Sequence, residues 1–363
     1  MKKVTFFIQC LSSGGAEHQL SMLANFLDEE GYRVEIVTCV DKEDHYTINR
    51  NVCRIRIAMG SSKIIKMTSL AWFFLTHKSD CFISFGQREN LMSLIPLAIR
   101  RSVKVIVGER NYSESSPAYY EKFLFRWLYK RASYIVPNSF SQGRYITKLH
   151  PEYAKKTIVI NNYTDPSFYK YSSLVRHTPL RFGIFCRYEI QKNCLRFLDA
   201  IANVKERSNF QFIIDWFGNQ NFTNDILENY FEEVKKRVCI YNLQNYVFLN
   251  DAVKNVSERL QKYDAIILPS LHEGFSNAIS EAICCGKPML VSDVSDNSVM
   301  VHNGINGFLF DPTNTDSIAF AIEQFLQLSF EERSCMGQNS RKIAESLFDK
   351  RKFLSSYIKL IES

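Results

Sequence analysis

The protein has 363 residues, of which 46% are hydrophobic and 23% are charged, and its formal net charge is +7. This length exceeds what one hydrophobic core usually supports, and the apolar content is sufficient for two cores, which excludes a disordered or fibrous chain. The charge is uneven, because residues 1–170 contain 24 Lys and Arg against 15 Asp and Glu, a net +9, whereas the remaining residues have a net charge of −2.

A strand-like apolar segment, residues 4–10, leads into a loop that contains Gly14, Gly15 and Glu17. Paired glycines have no Cβ, so the backbone there can approach a bound group closely. The spacing differs from the Gly-x-Gly-x-x-Gly fingerprint of dinucleotide binding, so a nicotinamide enzyme is not expected. The apolar run is too short for a signal peptide, so we expect a cytoplasmic protein.

Two stretches of the basic first half combine cations with aromatic rings: residues 61–78, which include Lys63 and Lys66, and residues 119–131. Neither is long enough to span a bilayer, but both can lie at an anionic membrane surface. Each is also compatible with an amphipathic helix packed on a sheet. Together they favour peripheral contact with the inner face of the cell membrane, and no nucleic-acid-binding motif accompanies the charge.

Strand-like and helix-like segments alternate in both halves, which predicts parallel sheets covered by helices on both faces. One predicted strand, residues 103–111, contains Glu109 and Arg110 at its polar end. The polar stretch 163–179 is the predicted seam between two domains, 1–170 and 171–345, and a last helix occupies 346–363. The ten cysteines contain no Cys-x-x-Cys pair, so we expect reduced core thiols and no metal site.

The second half carries the most informative segment, residues 264–288. A short apolar run stops at Pro269, Gly274 permits a turn, and a helix should follow until Gly286 and Pro288. The backbone N–H groups of residues 275–278 then lie at a helix N-terminus, which is suited to a diphosphate. Glu281 lies about one turn into this helix, where it can bind two ribose hydroxyls. Glu273 lies in the loop ahead of the phosphates.

The segment from Glu273 to Glu281 resembles the E-x7-E signature of the retaining nucleotide-sugar glycosyltransferases of family four. Residues 12–17, 182–193 and 303–312 resemble other segments of that family in the same order. The resemblance covers nearly the whole chain and implies the GT-B architecture, in which two Rossmann-like α/β domains face each other across a cleft. It also implies that the C-terminal helix packs back on the first domain.

The resemblance assigns roles to individual residues. Arg187 and Lys192 match the two cations of the G-R-x4-K-N segment and would neutralise the donor diphosphate without a metal, although Cys186 replaces the usual glycine. Glu273 would hold the transferred sugar. The expected catalytic residues are therefore Glu273, Arg187 and Lys192, and the donor site adds Gly15, Gly274, Phe275, Ser276, Asn277 and Glu281.

The acceptor site is predicted from Gly14, Glu17, Glu109 and Arg110. Many family members have a histidine near position 109, so Glu109 or Arg110 would take its place, and a loop ion pair is an equally good interpretation. The loops that would border the base, after residues 210–218 and 246–250, lack the usual glycines. The glycines of residues 303–312 are expected to support a turn and a strand.

The resemblance implies a metal-independent, cofactor-free hexosyltransferase that moves a sugar with retention from a nucleotide diphosphate, UDP rather than GDP. The expected acceptor is a growing, lipid-linked bacterial glycan of the lipopolysaccharide or capsule type. Two other classes stay open. A nucleotide-sugar epimerase has the same fold and would turn over the donor without an acceptor. A non-catalytic scaffold of polysaccharide assembly would be expected to lose Glu273 or Lys192, and both are present.

Overall fold

Two units make up the protein: residues 1–163 together with 350–363, and residues 164–349. The computed structural model describes all residues except 1, 13, 101, 111–126, 209, 221, 223 and 224. The second basic and aromatic stretch, 119–131, therefore lies mostly outside the described residues, as does position 111 of the strand predicted at 103–111.

The first unit alternates strands with helices along the chain. Its elements are β1 (Lys3–Phe7), α1 (Gly15–Glu29), β2 (Arg33–Thr38), β3 (Cys53–Arg56), α2 (Lys63–Thr76), β4 (Cys81–Phe85), α3 (Gln87–Leu97), β5 (Lys104–Glu109), β6 (Tyr134–Pro137), α4 (Phe140–Leu149), the 3-10 helix Pro151–Lys156 and the C-terminal helix Lys350–Glu362.

All strands of the first sheet are parallel, in the order β3-β2-β1-β4-β5-β6. The central strand β1 places Phe6 opposite both Ile36 and Ile83, and all three side chains are buried. Strands covered on both faces need such continuous apolar sequences, which explains why their pattern was recognisable. Helix α2 joins this core through only two buried residues, Leu70 and Phe74.

The limits of the first unit follow from contacts that the sequence did not reveal. The side-chain amide of Gln19 donates to the carbonyl of Tyr163 (2.7 Å) and accepts from its N–H (2.8 Å), and the ring of Tyr163 packs on Phe353. The first unit therefore extends to Tyr163, whereas the sequence predicted a limit at residue 170. Lys2 and Lys104 donate to the last carbonyls of the C-terminal helix, at the negative end of its dipole.

The second unit repeats the alternation. Its elements are β7 (Leu180–Phe185), α5 (Cys194–Arg207), β8 (Phe212–Phe217), α6 (Asp225–Ile240), β9 (Val247–Asn250), α7 (Val256–Leu260), β10 (Ala265–Leu268), α8 (Asn277–Cys284), β11 (Met289–Ser292), α9 (Asn297–Met300), β12 (Gly307–Phe310), α10 (Thr315–Gln327) and α11 (Phe330–Leu347), which precedes α12, the C-terminal helix of the first unit.

The second sheet is also parallel, in the order β12-β11-β10-β7-β8-β9. Each sheet is thus built outward from its first strand in both directions, which is the order of a Rossmann fold. The chain direction across the sheet reverses between β1 and β4 in the first unit and between β7 and β10 in the second. Ligands of such sheets bind at this point, outside the carboxyl ends of the strands.

Two glycines of the segment 303–312 have structural roles, as the sequence predicted. Gly304 has a φ of +75°, which favours glycine, and it lies in the turn before β12. A Cβ on Gly307 would collide with the backbone of Met289 in the neighbouring strand. The close pairing of β11 with β12 therefore requires glycine at this position.

Candidate active site

The loops after β7 and β10 meet at the carboxyl end of the second sheet. The N–H of Leu271 donates to the carbonyl of Gln191 (2.8 Å), and the side chain of Gln191 donates to the carbonyl of His272 (3.0 Å). These bonds join the loop that carries Lys192 to the loop that carries Glu273. Because β7 and β10 are neighbours, two segments far apart in sequence form one surface at the point where the strand order reverses.

Lys192 and Glu273 form an ion pair on this surface. The Lys192 Nζ atom lies 2.6 Å from Glu273 Oε1, and only 13% and 11% of the two side chains are exposed. The hydroxyl of Ser270, which is fully buried, donates to the same carboxylate oxygen at 2.6 Å. Breaking a buried pair by removing one partner is costly, because the other charge remains desolvated. The pair therefore holds both side chains in place before any ligand binds.

The backbone of Glu273 is held as well. Its N–H donates to the hydroxyl of Ser295 (3.2 Å), which lies in the loop after β11. Ser295 has a φ of +53°, a left-handed conformation that is uncommon for a residue other than glycine. No role was predicted for Ser270 or Ser295 from the sequence. Ser270 was detectable from its place directly after the predicted strand, whereas no sequence signal points to Ser295.

Helix α8 begins within the predicted N-terminal segment 275–278, with Ser276 as its N-cap residue and Asn277 as its first residue. The side chain of Ser276 makes no cap hydrogen bond, and its backbone is extended. Phe275 is buried and packs edge-on against Phe348, which fixes the approach to the helix after Gly274. The N-terminus of α8 thus follows directly from the loop that carries Glu273, with the positive end of its dipole directed at that loop.

Glu281 lies one turn into α8 and is largely buried. Burial raises the pKa of its carboxyl group from 4.5 to about 7, and a hydrogen bond with Tyr169 partly offsets this effect. The carbonyl of Tyr169 accepts a bond from Arg341 (2.9 Å), which also donates to the carbonyl of Cys284 at the end of the helix. Near neutral pH, this carboxyl group is therefore divided between its protonated and ionised forms.

Arg187 lies at the rim of the surface, with 66% of its side chain exposed, and pairs with Glu189 at 2.9 Å. Beside it, burial raises the pKa of the Cys186 thiol to about 12, so the thiol is neutral. A Cβ on Gly218 would lie 2.7 Å from the carbonyl oxygen of Cys186, so glycine is needed where the loops after β7 and β8 meet. Because its thiol is neutral, Cys186 leaves the positive charge of Arg187 at the rim unchanged.

The glycine loop of the first unit ends at Gly14, the N-cap residue of α1, and Gly15 is the first residue of that helix. The carboxylate of Glu17 folds back so closely that a Cβ on Gly14 would collide with it. Burial raises the pKa of Glu17, and the nearby carboxylate of Glu89 contributes to the shift. Glu89, which accepts a bond from Gln9 (2.6 Å), follows β4 and was not singled out in the sequence analysis.

Glu109 and Arg110 have partners inside the first unit. Glu109 is fully buried, and its carboxylate accepts hydrogen bonds from Tyr129 and from Asn90 (3.1 Å). Arg110 donates to Asn162 (3.0 Å) and to the hydroxyl of Tyr357 (2.9 Å). The loop ion pair that the sequence left open as an alternative also stays a prediction. Their assignment to the acceptor stays a prediction.

Comparison with known families finds a similarity that lies in the second unit. Residues 169–343, slightly less than half of the chain, match the family described as "Glycosyl transferases group 1". This segment is therefore similar in sequence to that family. Lys192, Glu273 and Glu281 all lie within it, whereas the glycine loop does not.

Two relatives extend the similarity. The chain is 26% identical over 298 residues to the GalNAc-α-(1→4)-GalNAc-α-(1→3)-diNAcBac-PP-undecaprenol α-1,4-N-acetyl-D-galactosaminyltransferase of Campylobacter jejuni. This match covers 78% of the present chain and 77% of the C. jejuni enzyme. It is 31% identical over 137 residues to the UDP-Gal:α-D-GlcNAc-diphosphoundecaprenol α-1,3-galactosyltransferase of Escherichia coli. That match covers 36% of this chain and 33% of the E. coli enzyme.

A solved structure supports the fold of the whole chain. Anabaena Alr3699/HepE in complex with UDP and glucose superimposes with a TM-score of 0.79 at 18% identity, with all of both chains covered. The fold is therefore GT-B, as predicted. Within the described part of the chain, no group of three or more His, Cys, Asp or Glu side chains could hold a metal ion. The helices of that same part include none that is long and apolar enough to cross a membrane.

Proposed function

We propose that this protein is a retaining hexosyltransferase that moves a sugar from a nucleotide diphosphate, UDP rather than GDP, to a growing lipid-linked bacterial glycan. The names of the two relatives support this acceptor class, because both contain a diphosphate-linked undecaprenol. The name of the E. coli relative includes a UDP-sugar, and the Anabaena structure contains UDP. The proposal extends these properties to the present chain.

The observation that carries the proposal is the Lys192–Glu273 ion pair at the carboxyl ends of β7 and β10. A cation and a carboxylate 2.6 Å apart can contact two adjoining parts of one ligand. Lys192 would bind the diphosphate and Glu273 the sugar attached to it. The bond that joins these two parts is the one that breaks in sugar transfer, so the pair would lie at the reacting centre.

The neighbouring groups fit the rest of the donor. The start of α8, with Ser276 and Asn277, would accept the diphosphate, since helix N-termini favour anions. Glu281, in its ionised form, would accept hydrogen bonds from the ribose hydroxyls. Arg187 would add a second cation from the rim, so Arg187 and Lys192 together would neutralise the leaving group without a divalent metal.

In the proposed reaction, the bond between the anomeric carbon and the diphosphate oxygen breaks while the acceptor hydroxyl forms its bond on the same face of the sugar. The departing diphosphate takes the proton of that hydroxyl. Lys192 and Arg187 stabilise the negative charge on the leaving group, and Glu273 stabilises the positive charge that develops on the sugar. The first unit would bind the acceptor near its glycine loop.

We further propose that α2 brings the protein to an anionic membrane on the cytoplasmic side. The helix exposes large apolar side chains, with 77% of Ile64, 53% of Ile65 and 70% of Trp72 accessible to solvent. Lys63 and Lys66 lie in the first turns of the same helix. Exposed rings and aliphatic chains next to cations suit the interface of a membrane that contains anionic lipids.

Two variants test the roles within the donor site. Purified protein is assayed with UDP-sugars and an undecaprenyl-diphosphate-linked acceptor, and release of UDP is followed. Glu281→Ala should mainly raise the KM for the donor, because a charged hydrogen bond contributes roughly 1.5–3 kcal/mol. Glu273→Gln should mainly lower kcat, because its contact strengthens as charge develops. Glu228→Gln, on an exposed position of α6, is the control.

Three outcomes would contradict the proposal. Equal effects of Glu273→Gln and Glu281→Ala on both kinetic constants would show that their roles are wrongly assigned. Turnover of the donor without an acceptor, yielding an isomeric nucleotide sugar, would indicate an epimerase. No binding of any nucleotide diphosphate in a thermal-shift screen would favour a non-catalytic scaffold, since a ligand bound to the native state raises its stability.

A further inference from the structure

A cavity of about 550 Å³ lies in the second unit at the amino end of its sheet. It is bordered by the residues that precede β7 and β8 and by the turn between α10 and α11. Since β7 runs from Leu180 at this cavity to Phe185 beside the candidate active site, the two lie at opposite ends of the strands. The volume is within the range of small-molecule sites.

Arg333 is a buried charged group in the wall of this cavity. Only 7% of the residue is exposed, and burial lowers the pKa of its guanidinium group. One of its terminal nitrogens donates to the carbonyl of Leu328 at 2.6 Å. Its Nε atom is buried and has no hydrogen-bond partner among the described residues. Nε itself has no accessible surface, so an anion in the cavity would contact Nη2, the second terminal nitrogen, which makes no hydrogen bond among the described residues.

Arg176 lies at the mouth of the cavity. Its side chain is 67% exposed, and its guanidinium carbon lies 4.9 Å from the centre of the Phe330 ring. Glu331 approaches Arg176 only to 3.5 Å and is itself 77% exposed, so this surface pair is weak. An anion that enters the cavity would meet Arg333 on the inside and Arg176 at the rim.

The carboxylate of Asp264 attracts the Arg333 guanidinium, but other groups already bind this carboxylate. His177 is directed at Asp264 (3.0 Å), which is fully buried and also accepts the backbone N–H of Arg181. Glu332, in the first turn of α11, is bound to the N–H and hydroxyl of Ser329 in a capping box. The remaining surface is mixed: it includes the apolar side chains of Phe330, Phe210, Leu326 and Leu180 and the polar residues Thr178, Gln211 and Ser329.

We propose that this cavity is a second ligand site, which binds a small phosphomonoester attached to a flat apolar group. A phosphate presents several acceptor oxygens to the two guanidinium groups, and the planar fork of arginine suits this geometry. Phe210 and Phe330 flank the space for the apolar group. The site is separate from the candidate active site, and its existence does not depend on the proposed sugar transfer.

Phenyl phosphate, inorganic phosphate and phenol serve as probes, each titrated into the full chain by isothermal calorimetry. Phenyl phosphate should bind most tightly. Arg176→Gln should weaken its binding about tenfold, because a charged contact at the mouth is lost. Arg333→Gln should weaken it at least as much. Arg207→Gln, which removes a half-exposed arginine paired with Asp316, should leave binding unchanged.

Two controls distinguish binding in the cavity from binding at the candidate active site: Lys192→Ala and saturating UDP. Neither should reduce phenyl phosphate binding. Loss of binding under either condition would overturn the proposal. So would the absence of phenyl phosphate binding, or binding that both arginine variants leave intact. Equal affinity for inorganic phosphate would overturn the role of the aromatic walls. If Arg333→Gln fails to fold, Arg176→Gln decides alone, because its side chain is mostly exposed.

Discussion

Glu281→Gln is expected to make the second unit more stable at alkaline pH, although it should weaken donor binding. Burial raises the pKa of Glu281 to about 7. In the unfolded chain the carboxyl group has its ordinary pKa of 4.5. The folded protein therefore favours the neutral form, and ionisation of Glu281 above pH 7 reduces the free energy of unfolding. Glutamine is neutral at every pH and retains an oxygen for the hydrogen bond with Tyr169.

The difference between the two pKa values sets the size of the effect. A shift from 4.5 to about 7 corresponds to about 3 kcal/mol, at 1.36 kcal/mol for each unit. The stability that the neutral carboxyl group contributes is complete below pH 4.5 and is lost as the pH rises through 7. The free energy of unfolding of the variant should thus exceed that of the native protein by up to about 3 kcal/mol at pH 8.5 and by less than about 1 kcal/mol at pH 5. Partial exposure of the side chain makes these values upper limits.

Urea unfolding measures this difference if the signal comes from the second unit alone. The protein has three tryptophans, of which Trp72 and Trp127 are exposed and Trp216 is fully buried in the second unit. Replacing Trp72 and Trp127 with phenylalanine leaves Trp216 as the fluorescent reporter. In this background Glu281→Gln is compared with Glu228→Gln at both pH values. A stability difference that is the same at pH 5 and pH 8.5 would refute the reasoning.

Four further outcomes are expected. Lys192→Ala should lower kcat at least about tenfold, or about 1.4 kcal/mol of barrier, and an unchanged kcat would remove Lys192 from the reacting centre. Ser270→Ala should lower kcat with little change in donor affinity, because it frees the Glu273 carboxylate without removing it; a change in KM alone would contradict this positioning role. Transfer should survive excess chelator, and activity restored by magnesium or manganese would contradict neutralisation by Arg187 and Lys192. The protein should cosediment with anionic vesicles at low salt and be released as salt rises. The double variant Lys63→Glu with Lys66→Glu should weaken this binding, whereas the control Lys254→Glu with Lys262→Glu, at two exposed positions, should not. Equal effects of the two double variants would exclude α2 as the membrane contact.

The features that local signals determine could be derived from the sequence alone. Continuous apolar runs identified the central strands, Pro269 directly follows the last residue of β10, and Gly274 and Gly286 lie within three residues of the ends of α8. Such signals depend on residues only a few positions apart. They also sufficed to recognise the segment from Glu273 to Glu281, because a helix N-terminus and a carboxylate one turn later are fixed by the chain itself.

Only the tertiary structure decided which distant residues meet. Lys192 and Glu273 are separated by 81 positions, and they meet because β7 pairs with β10. The same applies to Ser295, which reaches Glu273 from the loop after β11, and to Tyr357, which meets Arg110 because the C-terminal helix belongs to the first unit. Parallel strands are joined by long crossovers, so the strand order and not the local pattern determines which loops become neighbours. For this reason the sequence singled out the segment from Glu273 to Glu281 but missed the serines that hold Glu273.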